Sequence, residues 1–554
     1  MRRSTAFTLL LFSVLFLLKS PAEAQSDSSQ QSVWTPDNGD GTYKNPVIYA
    51  DYSDPDVIRV GDDYYMTSSS FSHFPGLPIL HSRDLVNWKI FSHAVQRYPF
   101  EEYAEPQHGK AIWAPSLRYH NGEFYVYFGD PDRGIFMTKA KDPAGPWDQL
   151  RLIRKVTGWI DPCPLWDDDG TAYLVHAFAN SRVGIKSILA VNRMNKEGTQ
   201  ILDDGIVVFV GHKTHPTIEG PKFYKRNGYY YIFAPAGGVK PGWQTVLRSK
   251  SVFGPYEDKI VLEQGITNVN GPHQGAWVVT QTGEDWFIHF QDRYAYGRIV
   301  HLQPMRWELD WPVLGIDRDK NGIGEPVDSF KKPNVGMTFP MQVPQTSDEF
   351  DADSPGLQWQ WEANYESSWV SAKVRKGWLR FNSQRPTASY RNLWNAPGLM
   401  LQKMPAHRFS ATTKLEFVPQ SPDEKAGLIV FGMDYSSIAI EKSDKGYRII
   451  QTVCVNAEKG LPEEIVASVP VPAAALFFRV TVKPESEREN IPKVLCAFSY
   501  SIDGKRFTTL GKEFVAREGQ WVGAKVGLFA QAASKAKKRG YADFDWFRIR
   551  PADR

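Results

Sequence analysis

The chain is poor in cysteine, nearly balanced in charge, and lacks a long apolar run beyond its first residues. Only three cysteines occur in 554 residues, which excludes a dense disulfide framework. Cys454 and Cys496 both fall late in the chain and could form one bridge, whereas Cys163 reads as a small buried residue. Lys and Arg number 65 against 62 Asp and Glu, which leaves no electrostatic footprint for nucleic acid. The one apolar run, Ala6 to Leu18, is short of the about 20 residues that a spanning helix needs. It follows Arg2 and Arg3 and precedes Ala22-Glu23-Ala24, a small-x-small cleavage pattern. Residues 1–24 therefore read as a signal peptide, with export to the periplasm or the medium and no membrane insertion. Long amphipathic helical patterns are also scarce, and the length exceeds one ordinary core.

What the chain does have is aromatic residues, 13% of the total, and a repeated turn that precedes them. Glycines 61, 122, 170, 228 and 283 each sit in a polar turn followed by an aromatic run, such as Tyr64-Tyr65, Phe124-Tyr125 and Tyr229-Tyr230-Tyr231. Such turns between alternating apolar residues are hairpin signals. Their spacing of 61, 48, 58 and 55 residues predicts an all-β, five-bladed propeller over residues 43–340. Residues 25–42, rich in Ser, Gln, Gly and Asp, read as a mobile leader. A Pro-rich linker at 341–347 leads to a β-sandwich of the concanavalin-like jelly-roll class over 348–554, marked by short strand-like runs and frequent turns.

The repeat also locates chemistry. Counting back seven to ten residues from the turn glycines reaches Asp54, Trp113, Asp161, Glu219 and His273 in turn. If the strand before each hairpin is the innermost, these five side chains converge at one mouth of the channel. Hydrolysis of a glycosidic bond needs one carboxyl group to accept a proton and one to donate it. A third carboxylate nearby raises the donor's proton affinity. Turn carboxylates unrelated to function would not keep one offset across three blades. Each acid precedes a proline by one or two residues, which predicts a backbone that leaves regular pairing there.

With these residues the chain resembles glycoside hydrolase family 43. The likeness runs through Ser53-Asp54-Pro55-Asp56, Arg59-Val60-Gly61-Asp62-Asp63-Tyr64-Tyr65, Phe74-Pro75-Gly76, His81 to Trp88 and Trp113-Ala114-Pro115. Those motifs are most similar to the β-xylosidase and α-L-arabinofuranosidase branch. The resemblance implies an inverting enzyme on a five-bladed propeller, with Asp54 as general base, Asp161 as modulator and Glu219 as general acid. Inversion in turn predicts a base-to-acid separation of roughly 6.5–9.5 Å. It further implies that Phe71 and Trp113 stack on the sugar and that Arg298 binds its hydroxyls, the alternative for Arg298 being a surface arginine. The second domain is similar to the sandwich attached to that branch, through Gly356 to Trp361 and Ala542 to Asp545. By the same likeness Trp521 reaches over the propeller mouth, its alternative being sandwich core.

His273 has three readings: a contact to the modulator, a ligand of a central metal, or a satisfied buried histidine. Asp317 to Gly322, with Glu325 and Asp328, matches the opening of a calcium loop but also reads as an Asn-Gly hairpin. No metal is assigned, and no cofactor is required beyond this candidate structural calcium.

The expected activity is exo-acting release of terminal β-D-xylose or α-L-arabinofuranose from plant cell-wall glycans. An arabinanase or galactanase of the same fold, and a sugar-binding propeller without catalysis, remain alternatives. A fructan hydrolase is disfavoured, because its Asn-Asp-Pro-Asn-Gly, Arg-Asp-Pro and Glu-Cys patterns read here Ser53-Asp54-Pro55-Asp56-Val57, Ile160-Asp161-Pro162 and Glu219-Gly220.

Overall fold

A computed structural model describes residues 32–472, 474–486, 492–534 and 536–552. The expected signal peptide lies outside these residues. Five four-stranded antiparallel sheets follow one another along the chain, each built from consecutive strands. The first strands of the blades are Asp56–Val60, Trp113–His120, Trp159–Trp166, Lys222–Arg226 and His273–Val279. First strands contact one another between blades one and two, two and three, three and four, and five and one, so the first strands form the innermost ring and line the channel.

The five turn glycines join first to second strands, and all have positive φ, between 62° and 90°. A Cβ at any of them would meet nothing within 4 Å. Glycine is therefore set there by backbone conformation alone, as tight hairpin turns require. Second strands such as Glu123–Asp130 are almost wholly buried, because neighbouring blades cover both faces. The ring closes through a bridge between Ile48 and Val300, and Thr42–Lys44 pairs with Ser329–Lys331. Residues assigned to the leader by composition pack against this closure: Asp37 is 7% exposed and accepts from Asn87 and Lys332.

From Gln360 onward the chain forms two antiparallel sheets that pack as a sandwich around Leu415, Leu428, Val430, Phe478, Val480, Leu528 and Phe544. One sheet carries Cys454 and the other Cys496. Packed sheets lie about 10 Å apart, whereas a disulfide needs Cα atoms within about 7 Å. Both cysteines are free and buried, so the bridge that the sequence left open is not formed.

The two domains share a core. Tyr49, Ala295, Tyr296 and Ile299 of the propeller belong to the same apolar cluster as the sandwich interior. Trp361 continues a sheet-like bridge to Phe74, with N–H···O distances of 2.7 and 3.1 Å. Asp51 fixes a sandwich loop directly: its Oδ1 accepts from Arg298 N at 2.8 Å and its Oδ2 from Gly523 N at 3.0 Å. That loop carries Trp521.

The Asp317–Gly322 segment is a loop whose ends meet through a bridge between Ile316 and Glu325. Asp317 accepts from the N–H groups of Asn321 and Gly322, and Arg318 pairs with Glu325 at 2.9 Å. Asp317 and Glu325 thus serve the loop's own donors.

Candidate active site

At one mouth of the channel a cavity of about 200 Å³ is lined by Asp54, Phe71, Trp113, Ala114, Ile160, Asp161, Glu219, Val239, Gln274, Arg298 and Trp521. A larger cavity of about 420 Å³, lined by residues such as Arg59, Arg118, Trp166 and Lys225, has no carboxylate in its lining. Of these two cavities, only the smaller one gathers carboxylates.

Inner strands bring side chains to this mouth by departing from regular pairing. Register shifts fall between Trp113 and Ser116, Ile160 and Cys163, and His273 and Gly275. Bulges of this kind re-aim side chains at strand ends. Six lining residues, Asp54, Phe71, Ala114, Asp161, Gln274 and Trp521, have φ between 32° and 66°. Left-handed backbone is uncommon outside glycine and is held only where surroundings over-determine it. Asp161 lies at the bulge within its strand, while Asp54 and Glu219 precede theirs, so all three acids leave the ladder as their prolines predicted.

Each acid has distinct partners. Asp54 Oδ2 accepts from Ser69 Oγ at 2.5 Å, and Ser69 Oγ accepts from Ala114 N at 2.7 Å. Arg298 Nη1 lies 3.5 Å from Asp54 Oδ1. Asp161 Oδ2 accepts from Gly220 N at 2.8 Å, linking it to the residue after Glu219. Glu219 keeps 35% side-chain exposure, and it is the cavity that its carboxyl lines. Burial, and then the charges of Asp161 and Asp54, raise its proton affinity well above the ordinary carboxyl range. Asp161 is raised as well, chiefly by burial, against the Gly220 hydrogen bond.

The remaining candidates divide clearly. Phe71 and Trp113 meet edge to face at 6.2 Å, and Trp521 meets Trp113 in the same manner at 6.2 Å. Trp521 is 47% exposed and lines the cavity, so it is rim rather than sandwich core. Arg298 is 8% exposed, packed over Phe290 and near both Asp54 and Asp292; it is no surface arginine. His273 is fully buried with no hydrogen bond at either ring nitrogen, and its Nε2 lies 3.6 Å from Glu219 Oε1. It thus faces the candidate acid rather than the modulator. Burial, then Arg298 and His289, hold its pKa down at about 3, so it brings no charge to Glu219.

Two members of the site escaped the sequence reading. Gln274 lines the cavity with its Nε2 unpartnered, directly after His273, where its register was a usable signal. Ser69, which orients Asp54, sits in the run Ser68-Ser69-Ser70 and carries no distinguishing pattern. Asp56 and Cys163 lie beneath the site. Asp56 accepts from Arg118 at 2.7 Å, and Cys163 Sγ accepts from Phe223 N at 3.2 Å. Both tie blades together.

Comparison with known proteins agrees with this geometry. Residues 43–312 match the model of glycosyl hydrolases family 43, and residues 347–550 match the beta xylosidase C-terminal concanavalin A-like domain. A candidate beta-xylosidase of Xylanibacter ruminicola is 42% identical over 91% of this chain and 89% of its own. The non-reducing end alpha-L-arabinofuranosidase BoGH43B of Bacteroides ovatus is 30% identical over 92% of this chain and 95% of its own. Among solved structures, the GH43 protein BlXynB of Bacillus licheniformis superposes with a TM-score of 0.78 at 27% identity, covering 92% of this chain and all of its own. A cavity with three acids, on a propeller whose mouth is shared with a sandwich domain, thus has its counterpart in sequence: the chain belongs to glycosyl hydrolases family 43 and is a glycosidase of the xylosidase and arabinofuranosidase kind.

Proposed function

We propose that this glycosidase is exo-acting and inverting, and that it removes a terminal β-D-xylose or α-L-arabinofuranose from plant cell-wall glycans outside the cytoplasm. One observation carries the reading. Glu219, its proton affinity raised by burial and two acid neighbours, shares with Asp54 a cavity that Trp521 of the other domain walls in. A cavity of about 200 Å³ is smaller than the about 300–1,000 Å³ of drug-sized sites. It suits one sugar ring held end-on and not a continuous polymer.

In this reading Glu219 donates its proton to the leaving oxygen. Asp54, oriented by Ser69 and Arg298, takes a proton from the attacking water. Asp161 keeps Glu219 protonated by its charge and positions Gly220 through its hydrogen bond. Trp113 and Phe71 offer apolar faces to the ring, and Arg298 and Gln274 offer donors to its hydroxyls. Every proton moves between a side chain, water and the sugar, and no step draws on a cofactor. The export proposal rests on residues 1–24, and the two named relatives support the choice of sugars.

Following xylobiose and an arabinofuranosyl-xylooligosaccharide by proton NMR tests all three points. Single sugars of inverted anomeric configuration should appear first. Retained configuration, or release of disaccharides from longer chains, would overturn the reading.

A further inference from the structure

At the seam between the domains, His73, His108 and Glu362 bring three ligand atoms within 4.8 Å of one another. His73 comes from the loop between the second and third strands of blade one. His108 precedes the first strand of blade two, and Glu362 follows the strand Gln360–Trp361 of the sandwich domain. Glu362 is 1% exposed, His73 is 4% exposed, and the His108 side chain retains 11% exposure.

The hydrogen bonds fix the tautomers. His73 Nδ1 lies 2.9 Å from Ser70 O, and His108 Nε2 lies 2.8 Å from Trp394 O. A carbonyl oxygen only accepts, so each of these nitrogens carries the proton. In the neutral rings the other nitrogens, His73 Nε2 and His108 Nδ1, then present lone pairs. Both point at Glu362 Oε2, at 3.2 and 3.4 Å. Three acceptor atoms therefore converge with no donor among them. Lys525 Nζ sits at 2.8 Å on the other oxygen, Oε1, and leaves this convergence unanswered.

A divalent ion resolves it. Imidazoles that bind metal donate their second N–H to a backbone carbonyl or carboxylate, as both do here. Ligands about 2.0–2.1 Å from a tetrahedral zinc ion are separated by about 3.3–3.4 Å, which the two contacts on Oε2 match. Two histidines and a carboxylate are a zinc-type donor set, with the fourth position open to water.

We propose that His73, His108 and Glu362 bind one zinc ion that fastens the sandwich domain to the first two blades. Its position also braces the cavity. Phe71 stands two residues from His73, and the Gly109 carbonyl next to His108 accepts from Trp113 Nε1 at 2.9 Å. The ion thus acts as a positioning element for two aromatic walls of the site.

The test uses the full-length protein without a histidine tag, stripped by chelator, reloaded with zinc and freed of excess by gel filtration. Metal analysis should find about one zinc per chain in wild type and at least tenfold weaker binding in His108→Asn and His73→Gln, with His273→Gln retaining zinc. Zinc addition should raise the melting temperature of wild type and not of His108→Asn. Crystals measured at the zinc absorption edge place the ion without any variant, should one fail to fold. An anomalous peak bonded to the three ligands supports the site. Loss of zinc in His273→Gln alone, a peak elsewhere, or no zinc retained by wild type would overturn it. Sugar turnover enters none of these readouts.

Discussion

At the residue scale the site is an arrangement of three carboxyl groups that cannot all carry charge together. Glu219 is raised by burial first and by Asp161 and Asp54 second. Replacing it by Gln keeps the shape and removes the proton. We expect kcat on xylobiose to fall by about 10²–10⁴, the usual share of general acid catalysis. An aryl glycoside with a good leaving group should lose far less, and equal losses on both substrates would count against the acid role.

Asp161 gives a second prediction, in pH. Its negative charge helps hold the proton on Glu219, so Asp161→Asn should move the alkaline limb of kcat/KM to lower pH. Stability should move as well. The folded pKa of Asp161 lies above its unfolded value, so the wild type loses stability as pH rises through and beyond the ordinary carboxyl range. The Asn variant has no such loss, so its advantage in melting temperature should be larger at pH 8 than at pH 4. A tenfold change in proton affinity is worth about 1.4 kcal/mol, and the gain at pH 8 should be at least of that order. Equal melting curves at the two pH values would show that Asp161 is not buried against its charge. At this scale the acids were legible because they keep one offset from a hairpin glycine. Ser69 and Gln274 were not, since a serine in a serine run and a glutamine beside a histidine announce no chemistry until the backbone turns them inward.

At the element scale the informative piece is the sandwich loop that ends in Gly523. It docks so closely that a Cβ at Gly523 would lie 2.6 Å from Gly297 N, and its Ala524 N–H bonds Ala295 O at 2.8 Å. Trp521 is thereby held against Trp113 with φ at 66°. Truncating it to Ala should lower kcat/KM for disaccharides by about 10–100-fold, the range of a lost aromatic contact. The melting temperature should barely change, because the ring is 47% exposed. Unchanged kinetics would remove Trp521 from the site. Gly523→Ala should act differently: it should lift the loop and weaken substrate binding together with stability. The blades were readable as elements because each needs its own hairpin glycine.

At the scale of the whole molecule, the two domains are bound by groups that neither could satisfy alone. Asp51 reaches 472 residues along the chain to Gly523, Asn364 exchanges hydrogen bonds with the backbone of Tyr98, and buried Glu362 meets His73 and Lys525. Such partners have no local pattern, which is why the interface between the domains was not visible in the sequence. The largest apolar cluster also crosses the seam. Separating the domains would expose that cluster to water and part Glu362 from both histidines that it meets across the seam. Relative domain motion is the usual expectation only where an interface is small and polar. We therefore expect propeller and sandwich to unfold in one calorimetric transition, with van't Hoff and calorimetric enthalpies in agreement. Asp51→Ala should lower that transition while removing the Trp521 loop from the mouth, so melting temperature and kcat/KM should fall together. Two resolved transitions in the wild type would show that the seam is weaker than its buried charges require, and would detach the sandwich from any part in shaping the site.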